Sequence, residues 1–366
     1  ARLNADWRKP VPKSETPANA DEAWQTGTFA ERAALLATIR QNDAVQALEL
    51  VRATWSADGA EDRRRFVEIL GQTVSSADEA FLEAALDDRS KLVRREAAGA
   101  LVRLAGSALR ARMRERATRM ILIEKSKSSS RRPSAVKVKL EPPKVFDKSW
   151  ERDAIDEQAI TGKGKRASWM VQVLSATDLS IWTELSGLAP AELIDAVRDD
   201  EYFDDAVQAI TASAASCPGQ KDLTAWTDAI IAMCAGKGSA NPERVSQVWA
   251  AQSVERSEEM RLRFLSAEKP SKGAVVWHLL VSDSRAWSLD FSVRALAICR
   301  ETTPKKIDTW ELWGPVESVS RLLHPGAAET FERLIGDLYP DGPSESIRKS
   351  LDRVRLRADM HREFQS

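Results

Sequence analysis

Histidine, cysteine and tyrosine are scarce in this chain: three, three and two residues among 366. His278, His324 and His361 are never four residues apart and none stands beside a cysteine, so metal-ligand spacing is missing. Cys217, Cys234 and Cys299 are widely separated, odd in number and free of any C-x-x-C pair. That fits a reducing cytosol better than a disulfide framework. No apolar run approaches the ~20 residues that span a bilayer, and no signal-like stretch opens the chain. The expected location is therefore cytoplasmic, without membrane contact. Ala1 in place of Met reads as a trimmed start.

Catalytic signatures are missing too. The serines lack a G-x-S-x-G context. GKGKR at 162–166 lacks phosphate-loop spacing and reads as a flexible entry to a helix at Ala167. DDEYFDD at 199–205 lacks the spaced register of a calcium loop and reads as a charged turn with solvated carboxylates. No catalytic, cofactor-binding or metal-ligating residue is nominated, and the reading is non-enzymatic.

What is present is a globular composition, 43 % hydrophobic and 30 % charged. Aromatics make up only 6 %, yet 12 of them are Trp, nine of these from Trp150 onward. Most read as core wedges between helices. Trp310 and Trp313 in DTWELWGP stand apart as interface candidates, because Gly314 and Pro315 are expected to end their helix. Net charge is −1, but residues 108–148 hold 13 Lys and Arg against four Asp and Glu, a local excess of nine.

Helical periodicity recurs along most of the chain. In LDDRSKLVRREAAGALVRLAG (86–106), Val93, Ala97, Ala100, Leu101 and Leu104 form one apolar stripe. Asp87, Asp88 and Ser90 stand where a cap is needed, and Gly106 where the helix should stop. A helix this short cannot bury its stripe alone. Further helices are expected at 29–39, 43–55, 61–70 and 77–86, the second with a stripe of Ala44, Ala47, Leu48, Val51 and Trp55. After residue 149 they are expected at 167–176, 191–197, 204–214, 223–235, 243–249, 255–265, 273–281, 291–300 and 344–362. Short helices with short connections predict an α-solenoid of antiparallel pairs, with a non-repeating bundle as the competing fold.

Residues 120–140 break that rhythm. MILIEK and AVKVKLE alternate apolar with polar residues around SKSSSRRPS, predicting a basic β-hairpin, or a tether if the strands do not pair. The EPPKVF stretch that follows is held extended by its prolines. The expected organisation is an extended arm at 1–20, helical repeats at 21–118, a basic hairpin or linker at 119–149 and a second helical region at 150–366.

The 86–106 stretch resembles the second helix of a HEAT repeat, in which a turn Asp caps the helix and an Arg braces the neighbouring repeat. Over a longer span, FLEAALDDRSKLVRREAAGALVRLAGSALRARM (81–113), PPKVFDKSWERDAI (142–155), GKGKRASWMVQVLSATDLSIW (162–182) and LHPGAAETFERLI (323–335) resemble an uncharacterised bacterial family of HEAT-like helical proteins. Members of that family are typically encoded beside MoxR-type AAA+ ATPases, von Willebrand A-domain proteins and SWIM zinc-finger proteins. The resemblance implies an accessory protein of such a system and no catalytic residue.

Two functions follow. The first is a scaffold or adaptor for protein partners, such as the AAA+ ATPase or its von Willebrand A-domain companion. The second is a nucleic-acid binder gripping a duplex through the basic segment 110–139. Arg110, Arg112, Arg116 and Arg119, then Arg131, Arg132, Lys137 and Lys139, are the candidate contacts for either, with Trp310 and Trp313 for a protein. Arg112, Arg116 and Arg119 share one side of their helix, and Glu115 reads as the ion-pair partner of Arg119. Overall acidity outside the segment favours the protein partner.

Overall fold

The computed structural model describes residues 20–125, 136–160, 162–217, 220–234, 246, 248–250, 252–267, 273–303 and 309–365. The arm expected at 1–20 lies outside them but for residue 20, and of the helix expected at 243–249 residues 246, 248 and 249 are described and are helical. The fold is all-α with one small hairpin, and it divides into two compact units that meet in the chain between Ile230 and Ile231.

The first unit opens with α1 (Ala20–Thr26), α2 (Phe29–Asn42), α3 (Ala44–Thr54) and α4 (Ala60–Gln72). Thr28 and Glu31 start α2 with a capping box: the Thr28 N–H donates to the Glu31 carboxylate at 2.8 Å, and the Glu31 N–H donates back at 3.4 Å. Asp43 does two jobs. Its N–H closes α2 on the Ile39 carbonyl at 2.7 Å, and its carboxylate opens α3 by accepting from Gln46 N at 2.9 Å. That single residue makes the α2–α3 connection as short as a connection can be. The chain continues through α5 (Glu79–Ala85), α6 (Lys91–Arg103) and α7 (Ala108–Thr118).

The stripe read in 86–106 is buried as expected: Val93, Ala97, Ala100 and Leu101 are fully covered. Its cover is α4, whose Phe66, Val67 and Leu70 are equally buried. Gly71 lets the two helices close, because a Cβ there would sit 2.6 Å from the Arg103 guanidinium and 3.1 Å from Ala100 Cβ. The Arg103 Nε instead donates to the Gly71 carbonyl at 3.0 Å. The expected cap differs. Ser90 makes no side-chain cap bond, since Asp88 accepts from the Ser90 N–H at 2.7 Å and from Arg63 of α4 at 2.8 Å. The carboxylate that was to cap the helix ties its entry turn to the neighbouring helix. Contacts throughout this stretch run from one helix to the next, as α2 to α3, and to the next but one, as α2 to α4 and α4 to α6.

The hairpin forms. β1 (Ile121–Lys125) pairs antiparallel with β2 (Val136–Leu140), from Ile121 opposite Leu140 to Lys125 opposite Val136. Ile121, Val138 and Leu140 face inward while Leu122, Glu124, Lys137 and Lys139 are exposed, the alternation expected of a half-buried ribbon. Helices α8 (Lys165–Ser175), α9 (Ser180–Ser186), α10 (Pro190–Val197), α11 (Phe203–Ser216) and α12 (Leu223–Cys234) follow, with α8 packed on α7 and α11.

The second unit contains α13 (Val254–Ala267), α14 (Gly273–Leu280), α15 (Leu289–Thr302), α16 (Thr309–Leu322), α17 (Ala328–Leu338) and α18 (Glu345–Gln365). Trp277, Phe291, Leu312 and Phe331 centre its core. Next-but-one contacts recur, α13 to α15, α14 to α16 and α16 to α18. One expectation fails here: Gly314 and Pro315 do not end the helix that holds Trp310 and Trp313. α16 runs through them, because Leu312, Val316 and Val319 lie on both sides of the proline and are all fully buried. Burial of that stripe outweighs the hydrogen bond that proline cannot make.

Buried arginines fix the turns. Arg40 of α2 reaches Asp78 with two hydrogen bonds, at 2.9 and 2.5 Å, and its remaining donors meet Thr73 and the Ala44 carbonyl. Both side chains are at most 2 % exposed. Arg40→Ala would strand a buried carboxylate and is expected to cost about 3–5 kcal/mol. Glu115→Ala, which breaks an exposed pair, should cost under about 1 kcal/mol. Urea unfolding midpoints of the two variants test the difference.

A second prediction concerns acid. His324 starts the turn before α17, its Nδ1 accepting from the Gly326 N–H at 3.0 Å, as a turn cap is expected to do. Burial lowers its pKa, and His361 and Arg357 of α18 add to the effect. The unfolded chain therefore takes up the proton more readily, so this contribution to stability is present above about pH 6.5 and is lost as pH falls through the lowered native value. His324→Asn keeps an acceptor without a titration. It should flatten the pH dependence of unfolding between pH 7 and 5, where the parent chain weakens.

Candidate interaction surface

Five arginines stand in or directly after α7, and their surroundings decide what they can do. Arg110 is 5 % exposed and forms an ion pair with Asp178. Arg112 donates to Asp153 at 2.7 Å and to Glu83 at 3.1 Å. Those carboxylates raise its pKa against the burial that would lower it. Arg114 pairs with Glu184, and Arg116 meets Asp153 at 2.6 Å while lying 5.4 Å from the Trp150 ring centre. Arg119 pairs with Glu115 at 2.6 Å, and both side chains are more than two-thirds exposed. The Glu115–Arg119 pair is as the helical spacing predicts.

Four of these partners, Glu83, Asp153, Asp178 and Glu184, come from outside 108–148. Counting them reduces the local excess of positive charge from nine to five. Asp153 is the hub, because it faces Arg112 and Arg116 and lies 3.7 Å from Arg152 while itself only 4 % exposed. A carboxylate 41 residues from its arginine leaves no spacing signal. Its only trace in the sequence is the SWERD string after the prolines.

Arg112, Arg116 and Arg119 do share one side. With Met120, Trp150 and Asp147 they line a cleft of about 400 Å³ between α7, the base of the hairpin and the turn at 147–151. The Asp147 carboxylate accepts from the Ser149 N–H at 2.9 Å. Hydrogen bonds from Ser149 hold its pKa below the usual carboxylate range, and Arg116 contributes. Trp150 is steadied by Phe146, edge-on at 5.8 Å. The aromatic wall was not read from the sequence, where Trp150 passes for core.

The other candidates are dispersed. Lys139 pairs across the hairpin with Glu124 at 2.8 Å, which raises its pKa, and Lys137 is exposed. Arg131 and Arg132 lie outside the described residues, as does the side chain of Trp310. Trp313 is half exposed. The acidic turn at 199–205 is tied in: Asp200 accepts from Leu140 N at 3.1 Å, and Asp205 pairs with Lys163. Gly164 precedes α8 as the entry residue expected of GKGKR. Burial pushes the thiols of Cys217 and Cys299 upward in pKa. Among the described residues no cluster could hold a metal, and no helix is long and apolar enough to cross a membrane.

The pairing separates structural arginines from available ones. Replacing Arg112 and Arg116 together by Ala leaves the buried Asp153 carboxylate under-compensated and should lower stability by about 3 kcal/mol or more. Arg119→Ala should change it by less than about 1 kcal/mol. Equal shifts in thermal unfolding would show that the two inner arginines do not brace the fold.

A family model described as a family of unknown function, DUF5691, matches residues 1–364. No curated protein and no solved structure gives a significant match. The match covers both units, and the chain belongs to the DUF5691 family.

Proposed function

We propose that this protein is a non-enzymatic scaffold or adaptor of the cytoplasm, a HEAT-like stack of helix pairs that holds protein partners. The engagement of the α7 arginines by the chain's own carboxylates carries this reading. Binding along a phosphate backbone draws its strength from cations that release counterions, and each must be free to do so. All five arginines already face protein carboxylates that would have to be displaced, four of them carboxylates from distant parts of the chain and one of those, Asp153, buried. That weighs against a duplex grip through 110–139.

The exposed cations at the cleft are Arg119, which lines it beside Glu115, Glu141 and Asp147, and Lys144 and Lys148, which adjoin its lining residues in the chain; Lys137 is exposed on the hairpin. Trp150 and Met120 supply an apolar wall beside them. A protein segment that brings carboxylates to the rim and one apolar anchor to the wall uses both features. Recurring contacts between next and next-but-one helices, as α2 to α4, α4 to α6 and α14 to α16, support the stacked-array reading, since solenoids are built that way, and α8 packing on α11 is a departure from it. The resemblance to proteins encoded beside MoxR-type ATPases supports the AAA+ ATPase or its von Willebrand A-domain companion as the partner.

Capture on the tagged full chain, with nuclease treatment and a salt step, tests the reading. The ATPase or its companion should survive nuclease and elute at high salt. Arg119→Glu, Lys137→Glu and Lys148→Glu together should reduce that capture about tenfold with an unchanged melting temperature. Loss of all bound material on nuclease treatment, or duplex binding below micromolar at physiological salt, would replace the adaptor by a nucleic-acid binder.

A further inference from the structure

The first unit repeats itself. α2, α4 and α6 begin at Phe29, Ala60 and Lys91, a constant interval of 31 residues. Their N-cap residues Thr28, Gly59 and Ser90 keep that interval, as do Trp24 and Trp55 and the series Arg32, Arg63 and Arg94. The second helices follow it closely, as α3, the 76–85 stretch that ends in α5, and α7. One helix pair is stacked three times.

Equivalent arginines make equivalent bonds, up to the last copy. Arg32 grips the Asp58 carboxylate with both prongs of its fork, at 2.8 and 3.1 Å. Arg63 grips Asp88 in the same way, at 2.8 and 3.2 Å, and its Nη1 donates to the Asp58 carbonyl of the turn behind it. The result is a ladder in which a guanidinium spans from the preceding turn to a carboxylate on the next.

Arg94 is held from behind as Arg63 is. Its Nη1 donates to the Asp88 carbonyl at 2.8 Å and to the Arg89 carbonyl at 3.3 Å. Ahead of it the ladder stops. The position that continues the spacing from Asp58 to Asp88 is Thr118, whose hydroxyl donates to the Arg114 carbonyl at 2.9 Å. Among the described residues no carboxylate lies within ion-pair distance of Arg94, and its Nε and Nη2 donate to no protein atom. The nearest carboxylate along this helix face is taken, since Asp156 receives Lys91 at 2.7 Å and lies 3.7 Å from Arg95. Arg89, beside the same turn, is exposed.

We infer that Arg94 is an open rung, whose fork docks an Asp or Glu carboxylate carried on a turn of a protein partner. The two filled rungs identify the ligand, because the same residue in the same setting takes a carboxylate both times. A planar guanidinium already fixed at one nitrogen is pre-organised for two parallel bonds, so little freedom is lost when they form. Arg94 and Arg89 are both without a carboxylate here, which favours an acidic turn over a neutral one. This docking point lies on α6 and does not rest on the reading of the α7 cleft.

The test uses the full chain and a labelled peptide that copies residues 76–90, the segment that carries Asp88 to its own rung. Fluorescence anisotropy should show saturable binding with one peptide per chain. Arg94→Gln should weaken it about tenfold or more, and so should Arg94→Lys, because an ammonium cannot replace two parallel bonds. A peptide carrying Asp88→Asn should bind the parent chain as poorly. Arg52→Gln removes the same charge from an exposed position of α3 and should leave the affinity unchanged. Arg119→Glu, Lys137→Glu and Lys148→Glu together should also leave it unchanged, which separates this docking point from the cleft. Circular dichroism melts confirm that each variant is folded. Absence of saturable binding, indifference to Arg94→Gln or to Asp88→Asn in the peptide, or equal weakening by Arg52→Gln or by the cleft variant would overturn the proposal.

Discussion

Asp78, Asp88 and Asp283 each accept a backbone N–H from their own turn and lie against a guanidinium from a different helix, to which Asp78 and Asp88 are hydrogen-bonded. Asp78 takes the Ser75 N–H and Arg40, Asp88 the Ser90 N–H and Arg63, and Asp283 the Arg285 N–H while lying against Arg261. The carboxylate thereby sets the turn and the position of the neighbouring helix in one interaction. Burial makes this constraint strict. An Arg–Asp pair removed from water is tolerable only when its remaining donors are satisfied, and an unpaired member is costly. Arg261 shows the strain: burial lowers its pKa to about 10, with Asp283 and Glu258 opposing the shift. Burial alone would raise the pKa of Asp283, yet hydrogen bonds led by Arg285 hold it at about 2. Short helices that pack mainly on near neighbours depend on such turns for their stacking.

The α7 arginines are best understood as an extension of that bracing. Arg110 holds Asp178 in the turn between α8 and α9, and Arg112 with Arg116 holds Asp153 after the short turn at 148–151. Arginine suits the task because its planar fork can engage two oxygens, or two carboxylates, at once. Counted in the sequence, the same residues look like a polycation. Placed in the fold, most are cross-links to distant parts of the chain, and only the outermost, Arg119, pairs with a near neighbour on its own helix.

Legibility in the sequence follows the range of each interaction. The stripes of α3 and α6 and the alternation of the hairpin are local, and they are found where the pattern puts them. The cap expected of Ser90 and the stop expected of Pro315 fail for a common reason. Each is a local rule overridden by a tertiary demand, Arg63 drawing Asp88 in one case and the buried Leu312–Val316–Val319 stripe in the other. The seven-residue helix α9 is too short for its period to register. The cleft was half legible: three arginines on one side follow from helical geometry, but Trp150 and Asp153 arrive from 30 to 40 positions away.

An adaptor with a basic segment faces competition from every nucleic acid in the cell, because phosphate attracts unpaired cations regardless of sequence. Internal carboxylates act against that competitor. They lower the long-range field that would draw in a polyanion, while leaving short-range contacts to a partner of matching shape. On this view the buried Asp153 has two effects from one position. It holds the turn against α7, and it sets how much positive charge the cleft presents to solvent. In the proposed adaptor, the ion pairs that hold the helices in place would also favour a protein surface over a polyanion.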